Sequence, residues 1–302
     1  MKKPSLAFLL LPTVFIAGIA FSILGFARLL PQASGVDHSD WIAEVGDEKA
    51  IKDLDIPGTH NTLATISIGN LSGQCQYMPL DQQLKSGVRF LDIRLQLENN
   101  ELKGVHGIVD QKISFKTVNE IIVKFLSDHP KEFLIAAIKE EADPKDSTIS
   151  FNKALKDQLD PAYWLMDTAI PERVGDARGK AILLSRFRNS DFGVPSHEGW
   201  ITSGAYAIPN GIYIQDIYAV KSVDEKKKAI TDCFALPCES LRINYLSGYI
   251  DGGFPPTYAA SIAKDINSWV STVLPEKGKR GIVVYDYVTD ALLTPYFEGG
   301  AA

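Results

Sequence analysis

Short apolar runs recur along the chain from about residue 52, and most of them are followed by Gly, Pro or a polar turn. Runs bounded in this way are typical of buried β-strands. They predict eight strands, at residues 52–57, 88–95, 102–106, 133–139, 180–186, 211–216, 241–246 and 281–286.

Stretches with apolar residues at helical spacing lie between several of these runs. One predicted helix begins near Thr117 and ends before Pro130, and others cover 148–159, 224–235 and 257–273. Alternation of strands and helices favours a parallel sheet covered by helices. We therefore predict an α/β fold, a distorted (β/α)8 barrel of the TIM type in a single domain. The distortion is expected because segments 57–88 and 95–102 show no regular pattern.

The N-terminal segment differs in character from the rest of the chain. Lys2 and Lys3 precede an uncharged run from Pro4 to Ala27, which Arg28 closes. The run is longer than the core of a cleavable signal and approaches the roughly 20 residues that span a bilayer. We predict a signal peptide or a signal anchor at 1–30, with a buried soluble helix as the alternative. A linker at 31–40 and a domain at 41–302 follow, and the domain is expected to be secreted or held at a membrane by the apolar segment.

Composition and charge narrow the class of protein. The chain is 45% hydrophobic and 23% charged, as globular proteins are, and its net charge is -6. Nucleic-acid-binding proteins usually carry a basic surplus, so we expect no nucleic-acid partner. The cysteines and histidines show no zinc-site spacing. Cys233 and Cys238 are close enough in sequence for a disulfide, which would leave Cys75 unpaired.

Polar side chains follow the apolar runs where the predicted strands end. In a parallel barrel these ends meet at one face, where active sites lie. Each residue alone has a simpler explanation, because a His can be a hydrogen-bonded core residue, an Asp can cap a helix, and inward charges can pair. As a group they are harder to explain by packing. The candidate site residues are His60, Asn61, Asp92, Arg94, His106, Lys139, Glu141, Arg186, Asp216, Tyr218 and Asp286.

Together these residue types suit transfer at a phosphodiester. The reaction needs a base for the attacking hydroxyl and an acid for the departing oxygen, and two histidines can divide these roles near neutral pH. A planar Arg supplies positive charge beside the phosphate oxygens. A carboxylate behind the base holds its tautomer.

The same residues carry a resemblance to a known family. The chain from about 41 to 297 resembles the phosphatidylinositol-specific phospholipases C, of the small, metal-independent X-domain type found in bacteria and related fungal proteins. The resemblance rests on the order and spacing of Ile56-Pro57-Gly58-Thr59-His60, Phe90-Leu91-Asp92-Ile93-Arg94, Val105-His106-Gly107, Gly179-Lys180 through Arg186, Gln215-Asp216-Ile217-Tyr218 and Tyr285-Asp286-Tyr287.

The resemblance implies an enzyme that cleaves phosphatidylinositol to diacylglycerol and inositol 1,2-cyclic phosphate. His60 is then the base that removes the proton of the inositol 2-hydroxyl, and Asp286 orients it. His106 protonates the leaving alkoxide. Arg94, assisted by Asp92, stabilises the charge on the phosphate. Slow hydrolysis of the cyclic product follows with the roles of the two histidines reversed.

The remaining candidates are then substrate-binding residues. Lys139, Arg186 and Asp216 hydrogen-bond the inositol hydroxyls and Tyr218 stacks on the ring, with Glu141 as a weaker counterpart. The expected partner is phosphatidylinositol or a GPI-type lipid at a membrane surface, and the expected state is a monomer. The loop from Tyr245 to Tyr258 is predicted either to touch the membrane or to pack under the barrel mouth.

Asn61 departs from the family pattern. The metal-independent members usually have Asp directly after the base, whereas the calcium-dependent relatives have Asn there as a metal ligand. Those relatives need a carboxylate where this chain has Arg94, and calcium prefers several carboxylates. We therefore expect no metal and no other cofactor, so activity should be calcium-independent. The loss of Asp at position 61 should weaken activation of the leaving group.

Two other functions fit parts of the pattern. A metal-dependent glycerophosphodiester phosphodiesterase would use clustered acidic ligands, which Arg94 disfavours. A non-catalytic inositol- or glycan-binding barrel would not need both His60 and His106.

Overall fold

The fold is built on a twelve-stranded sheet and a separate two-stranded sheet, seen in a computed structural model that describes residues 37–67, 73–200, 202–208, 211–237, 239–252 and 260–298. The strands are β1 (Ile56–Thr59), β2 (Phe90–Glu98), β3 (Glu101–His106), β4 (Val109–Ser114), β5 (Leu134–Lys145), β6 (Trp164–Leu165), β7 (Ala181–Arg186), β8 (Val194–Pro195), β9 (Gly204–Ile208), β10 (Ile212–Asp216), β11 (Ala219–Val220), β12 (Leu241–Tyr245), β13 (Tyr249–Ile250) and β14 (Ile282–Tyr285).

The central strands of the large sheet run parallel in the order β7–β5–β2–β1–β14–β12–β10. The short strands β6 and β8 pair in parallel with the outer edge of β7, and β9 pairs antiparallel with β10. Within the described ranges no pairing joins β9 to β6 or β8, so the curled sheet is an incomplete barrel.

Helices follow most of the central strands. Several begin at a Ser or Thr whose hydroxyl accepts a backbone N–H one turn further on, as at Ser114, Ser222 and Thr289. Because Ser114 is the cap, the helix predicted from Thr117 begins at Phe115 instead. The helices are α1 (Leu80–Lys85), α2 (Phe115–Asp128), α3 (Phe151–Lys156), α4 (Val174–Ala177), α5 (Val223–Phe234), α6 (Ala263–Val273) and α7 (Asp290–Phe297).

Two apolar layers lie on the two faces of the parallel sheet, and strand β5 shows how they divide. Ile135 and Ala137 belong to the layer inside the barrel, whereas Leu134, Ala136 and Ile138 belong to the layer under the helices. Successive strand residues point to opposite faces, so a strand that is buried on both faces is apolar at every position. This is why the central strands are recognisable in the sequence as continuous apolar runs.

The predicted strand at 102–106 exists but was wrongly placed among the barrel strands. β3 pairs antiparallel with β2, and β4 pairs antiparallel with β3, which forms a meander on the rim of the barrel. Asn99 and Asn100 form the turn between β2 and β3, both with positive φ (51° and 64°), as a tight hairpin requires. The segment 95–102, expected to be irregular, is this hairpin.

Several predictions concern residues outside the described part of the chain. They are the signal or anchor at 1–30, the disulfide partner Cys238 and the Phe254 region of the proposed rim loop. Cys233 is buried and forms no disulfide with any described residue. Among the described residues, no helix combines the length and apolar character needed to cross a bilayer. Tyr245, the first residue of the predicted loop, ends β12 and is fully buried inside the barrel.

Candidate active site

The sheet directs the strand-end residues toward one cavity by a simple parity rule. In β5, Ile135 and Ala137 face the barrel interior, and Lys139 follows two residues later on the same face. The side chain at that position lies where the strand leaves the packed core and the barrel opens. The residues with the same parity at the ends of other strands are His60, Asp92, Arg186, Asp216 and Asp286.

His60 lies just beyond β1, between a carboxylate and a guanidinium. Its Nδ1 is 2.7 Å from Oδ1 of Asp286, and its Nε2 is 2.9 Å from Nη2 of Arg94. An ionised carboxylate only accepts and a guanidinium only donates, so Nδ1 carries the proton and Nε2 keeps its lone pair. In this tautomer Nε2 is the basic nitrogen, and its lone pair accepts a hydrogen bond from Arg94.

His106, at the end of β3, faces His60 with ring centroids 6.4 Å apart. Its Nδ1–H donates to the backbone carbonyl of Gly73 at 3.0 Å, which leaves Nε2 to exchange a proton with a ligand. Burial and the nearby Arg94 lower the pKa of His106 below its ordinary value of 6.5. The two imidazoles are therefore held in the same tautomer by different acceptors, one charged and one neutral.

Arg94 connects the base to two buried carboxylates. Its Nη2 donates to Oδ2 of Asp92 at 3.1 Å, and its Nη1 lies 3.5 Å from Oε1 of Glu141. Burial would raise the pKa of Asp92, but Arg94 and Arg186 hold that pKa well below the usual range. Likewise, burial is outweighed at Glu141, where Arg94 and Lys139 lower the pKa to about 2. Both carboxylates are therefore ionised, and Arg94 is fixed between them.

The cationic side chains form a row across three strands because of the sheet register. Arg94 in β2 is paired with Lys139 in β5, and Lys139 is paired with Arg186 in β7. Neighbouring strands are about 4.8 Å apart, so the row spans a distance comparable to a phosphate and a sugar ring. Burial and the charge of Arg94 lower the pKa of Lys139, while Nζ still donates to Glu141 at 2.6 Å.

Arg186 is held by an aromatic ring and two carboxylates. Its guanidinium carbon lies 3.4 Å from the ring centre of Trp200, and its nitrogens are 3.7 Å from Asp92 and 3.8 Å from Asp216. The indole N–H of Trp200 donates to Asp216 at 2.9 Å. Nε and Nη1 of Arg186 are buried and have no hydrogen-bond partner among the described residues. Arg186 itself lines the cavity.

The cavity has a volume of about 240 Å³ and includes most of the predicted residues. Tyr218 and Tyr249 form one wall, with ring centroids 6.1 Å apart. Asp92 and Asp286 do not line it but support Arg94 and His60 from behind. The described lining residues are His60, Arg94, His106, Lys139, Glu141, Arg186, Asp216, Tyr218, Ser247, Gly248, Tyr249 and Ala260.

Asn61, like Asp92 and Asp286, lies outside the described cavity lining. It has a positive φ of 48°, is 1% exposed, and its backbone N–H donates to Asp92 at 3.1 Å. Its side-chain amide nitrogen has no hydrogen-bond partner among the described residues. A buried unpaired amide donor is costly, which makes position 61 a site of strain beside the base.

Sequence reasoning missed residues that only tertiary packing brings to the site. Gln76 is fully buried, and its amide donates to the carbonyls of His60 at 2.8 Å and Tyr285 at 2.9 Å, which ties the ends of β1 and β14 together. Trp200 comes from a loop with no strand-end signal. Ser247, just after β12, is buried with an unpartnered hydroxyl beside the cavity.

The buried oxygen ligands that a hard metal ion prefers are already occupied. Arg94 neutralises Asp92 and Glu141, and Asp216 accepts from Trp200. In the described part of the chain, the side chains close enough to share a metal ion are His60, Cys75 and Asp286, a softer set of donors.

The fold and this constellation define an α/β-barrel protein with two facing histidines in a charged cavity at the C-terminal ends of its strands. Residues 54–187 match the family model described as phosphatidylinositol-specific phospholipase C, X domain. This match confirms the resemblance inferred from the strand-end motifs.

Relatives and solved structures agree with this assignment. The chain is 29% identical to a 1-phosphatidylinositol phosphodiesterase of Listeria monocytogenes, over 90% of this chain and 87% of the relative. It is 24% identical to the protein of that name in Staphylococcus aureus, over 91% of this chain and 92% of the relative.

The phosphatidylinositol-specific phospholipase C structure from Listeria monocytogenes superposes with a TM-score of 0.67 at 25% identity, covering 88% of this chain and all of that one (100%). A structure of the Staphylococcus aureus enzyme, described in terms of the modulation of its membrane binding, gives a TM-score of 0.73 at 19% identity, over 88% of this chain and 98% of that one. The predicted α/β barrel fold is thereby confirmed.

Proposed function

We propose that the protein cleaves phosphatidylinositol by intramolecular transfer, giving diacylglycerol and inositol 1,2-cyclic phosphate. His60 Nε2 takes the proton of the inositol 2-hydroxyl as that oxygen bonds to phosphorus. The bond from phosphorus to the diacylglycerol oxygen breaks, and protonated His106 gives its Nε2 proton to the departing alkoxide. Arg94 donates to the phosphate oxygen on which charge develops.

A second step hydrolyses the cyclic ester with the roles exchanged. Neutral His106 takes a proton from water as the water oxygen bonds to phosphorus. Protonated His60 returns its proton to the 2-oxygen as the ring opens, and inositol 1-phosphate is formed. Both histidines then have the protonation states with which the cycle began.

The pairing of His60 with Asp286 and Arg94, opposite His106, is the observation that carries this proposal. The tautomer of His60 is fixed by its two neighbours, its Nε2 lone pair accepts from Arg94 until the substrate hydroxyl takes that place, and a second imidazole stands 6.4 Å away. The row of Arg94, Lys139 and Arg186, with Asp216 and the ring of Tyr218, supplies the contacts for an inositol phosphate. A binding protein without catalysis would not need an oriented base.

We propose that the reaction needs no metal ion. A calcium ion that bridged Asp92 and Glu141 would occupy the position of the Arg94 guanidinium, which already contacts both carboxylates. Displacing a buried guanidinium from two ionised carboxylates would be costly. Arg94 therefore supplies the positive charge that a metal would otherwise bring to the phosphate.

One assay tests the reaction and its metal requirement together. The protein is incubated with phosphatidylinositol in detergent micelles with excess EDTA, and the water-soluble products are separated. We expect inositol 1,2-cyclic phosphate to appear first and inositol 1-phosphate later, at rates that added calcium does not change. Release of glycerol phosphate or choline phosphate that requires metal would point to the rival diesterase. A protein that binds inositol but yields no product with or without calcium would be a binding module.

The lowered pKa of His106 predicts an unusual pH dependence. The acid must be protonated, so activity is lost as the pH rises through the pKa of His106. Since kcat/KM reports the free protein, its alkaline limb should lie below pH 6.5. The bound phosphate is an anion and should raise this pKa, so the limb for kcat should lie at higher pH. The check is a pair of pH–rate profiles on a micellar substrate.

Glu141 provides the control for this profile, because its charge raises the pKa of His106. Glu141→Gln should move the alkaline limb of kcat/KM to lower pH. A wild-type limb well above pH 6.5, or no movement in the variant, would contradict the assignment of His106 as the acid.

We propose that the protein acts on lipid at a membrane surface, outside the cytoplasm, through an apolar rim beside the cavity. Ile108 is 89% exposed at the tip of the turn between β3 and β4, two residues after His106. Burial of an Ile side chain in lipid is worth roughly 1.5–3 kcal/mol. Ile108→Asp should therefore lower the cleavage rate on vesicles at least about tenfold, and leave hydrolysis of soluble inositol 1,2-cyclic phosphate unchanged.

Val273 is a matched control for this variant. It is also an exposed apolar residue, but it ends helix α6, which returns to the N-terminal end of the sheet. Val273→Asp should not alter the rate on vesicles. Equal losses in the two variants, or a loss on the soluble substrate, would rule out Ile108 as a lipid contact.

A further inference from the structure

Cys75 lies beside the acid–base centre and has no part in the proposed reaction. Its side chain is fully buried, and its sulfur is 3.8 Å from Nδ1 of His106. The sulfur, a ring nitrogen of His60 and a carboxylate oxygen of Asp286 all lie within 4.8 Å of one another. The site thus contains a thiol, an imidazole and a carboxylate that face each other.

A second observation at this cluster indicates a missing ligand. Asp286 is 0% exposed, and its Oδ2 is buried without a hydrogen-bond partner among the described residues. Its Oδ1 accepts from Nδ1 of His60, and the thiol of Cys75 lies beside the same carboxylate. An unpaired, buried carboxylate oxygen retains a strong tendency to bind a cation or a donor.

We propose that His60, Cys75 and Asp286 form a binding site for a thiophilic divalent cation, with Zn²⁺ as the best match. Zinc binds S, N and O ligands in tetrahedral geometry, whereas calcium and magnesium prefer oxygen alone. In such a site the ligand atoms are roughly 3.3–3.6 Å apart. The cluster reaches this arrangement when the sulfur moves toward the other two ligand atoms and the 2.7 Å distance between Nδ1 of His60 and Oδ1 of Asp286 increases.

The charges favour occupation by a divalent ion. Burial and the charge of Asp286 raise the pKa of the Cys75 thiol, so the ion must displace a proton that the thiol holds. Once that proton has left to solvent, the thiolate and the carboxylate together balance the two positive charges of the ion. A neutral cluster is far less costly to bury than an isolated ion. Water or an anion from the cavity supplies the fourth ligand, as in zinc sites with three protein ligands.

Occupation of this site disables the base. A metal on Nδ1 of His60 forces the imidazole proton onto Nε2, which removes the lone pair that accepts the proton of the 2-hydroxyl. It also sets the Nε2–H group against Nη2 of Arg94, two donors that are now 2.9 Å apart. The inhibitory consequence rests on the proposed function, but binding of the ion does not. Because Cys75 and Asp286 are both 0% exposed, inhibition should develop slowly after mixing.

Binding is tested without any activity assay by titrating the protein with Co²⁺ and recording absorption. We expect a sulfur-to-metal charge-transfer band at one equivalent, which Zn²⁺ abolishes by competition. Cys75→Ser should lose the band. If the buried hydroxyl of this variant destabilises the fold, Cys75→Ala is used in its place and should also lose the band. Cys233→Ser and His129→Ala are matched controls, because Cys233 is the other buried described thiol and His129 has its own Asp neighbour. Both controls should keep the band. Its absence from the wild type, or its persistence without Cys75, would overturn the site.

Inhibition is tested on phosphatidylinositol cleavage after incubation with Zn²⁺ or Ca²⁺. We expect Zn²⁺ to inhibit, EDTA to reverse the inhibition, and Ca²⁺ to have no effect. Relative to its own metal-free rate, Cys75→Ser should need at least about ten times more Zn²⁺ for half inhibition. Zinc that binds through Cys75 but leaves the rate unchanged would overturn the proposed effect on the base. A protein with no activity in EDTA would contradict the proposed function, while the Co²⁺ spectrum would still decide the site.

Discussion

Replacing His60 with Ala is expected to lower kcat for phosphatidylinositol cleavage by about 10⁴-fold, near the upper end of what a positioned base contributes. KM should change little, because Lys139, Arg186 and Asp216 still line the cavity and hold the inositol. The measurement is initial-rate kinetics with micellar phosphatidylinositol in EDTA, with inositol 1,2-cyclic phosphate as the product.

Two further variants make this result specific. Asp286→Asn should lower kcat by about 10²–10⁴-fold, since an amide can donate to Nδ1 and favour the wrong tautomer of His60. His129→Ala is the matched control, because His129 also contacts a carboxylate, Asp40 at 2.9 Å, but lies outside the cavity lining. Its kcat should equal that of the wild type. Retention of more than about one tenth of the rate in His60→Ala would exclude His60 as the base.

The second large effect concerns stability, at a buried ion pair far from the cavity. Arg89 and Glu132 are both 0% exposed, with Nε of Arg89 2.7 Å from Oε2 of Glu132. The other donors of Arg89 bind backbone carbonyls of Leu84, Val88, His38 and Ser39. All five N–H groups of the guanidinium are thus used, and they join the start of β2 to the first described residues.

Arg89→Met should reduce the free energy of unfolding by about 3–5 kcal/mol. The cause is the unpaired charge of Glu132, together with four carbonyls that lose a donor. The measurement is urea unfolding, in which the midpoint should fall while the slope stays constant.

The double variant Arg89→Met, Glu132→Leu tests that cause. It removes both charges and should recover part of the lost stability, because a buried pair can often be replaced by apolar residues without loss. A double variant less stable than Arg89→Met would show that the carbonyl contacts, and not the orphaned charge, dominate.

The barrel strands were predictable because they are buried on both faces. Residues 133–139 and 180–186 are apolar runs for this reason, and the observed β5 and β7 begin within one residue of them. Most site residues could be predicted from the same runs, since they lie toward the carboxyl ends with the parity of the inner layer. His106 and Asn61 are the exceptions, because His106 ends the rim strand β3 and Asn61 follows His60 with the opposite parity. The sequence shows where a barrel strand leaves the core, because the apolar run ends there and a polar residue follows.

The apolar runs did not reveal that β3 pairs antiparallel with β2. An apolar run does not distinguish a parallel strand from the second strand of a hairpin. The pair Asn99-Asn100 was the available signal, because Asn tolerates the positive φ of a tight turn. Trp200, Gln76 and Cys75 had no signal at all. They reach the site from loops, through contacts with residues that are distant in sequence.

The two imidazoles donate to different acceptors, and this difference affects the relative ease of the two reaction steps. In the first step of the proposed reaction the positive charge moves from His106 to His60. His106 donates to the neutral carbonyl of Gly73, whereas His60 is paired with the carboxylate of Asp286. This transfer forms an ion pair with Asp286 in a poorly hydrated site, which stabilises the charge on His60 although Arg94 lies close to it. Hydrolysis of the cyclic ester must move the charge back and break the same ion pair. The protein should therefore release diacylglycerol quickly and let the cyclic phosphate accumulate. Inositol 1,2-cyclic phosphate, rather than inositol 1-phosphate, is then the first water-soluble product released to the surroundings.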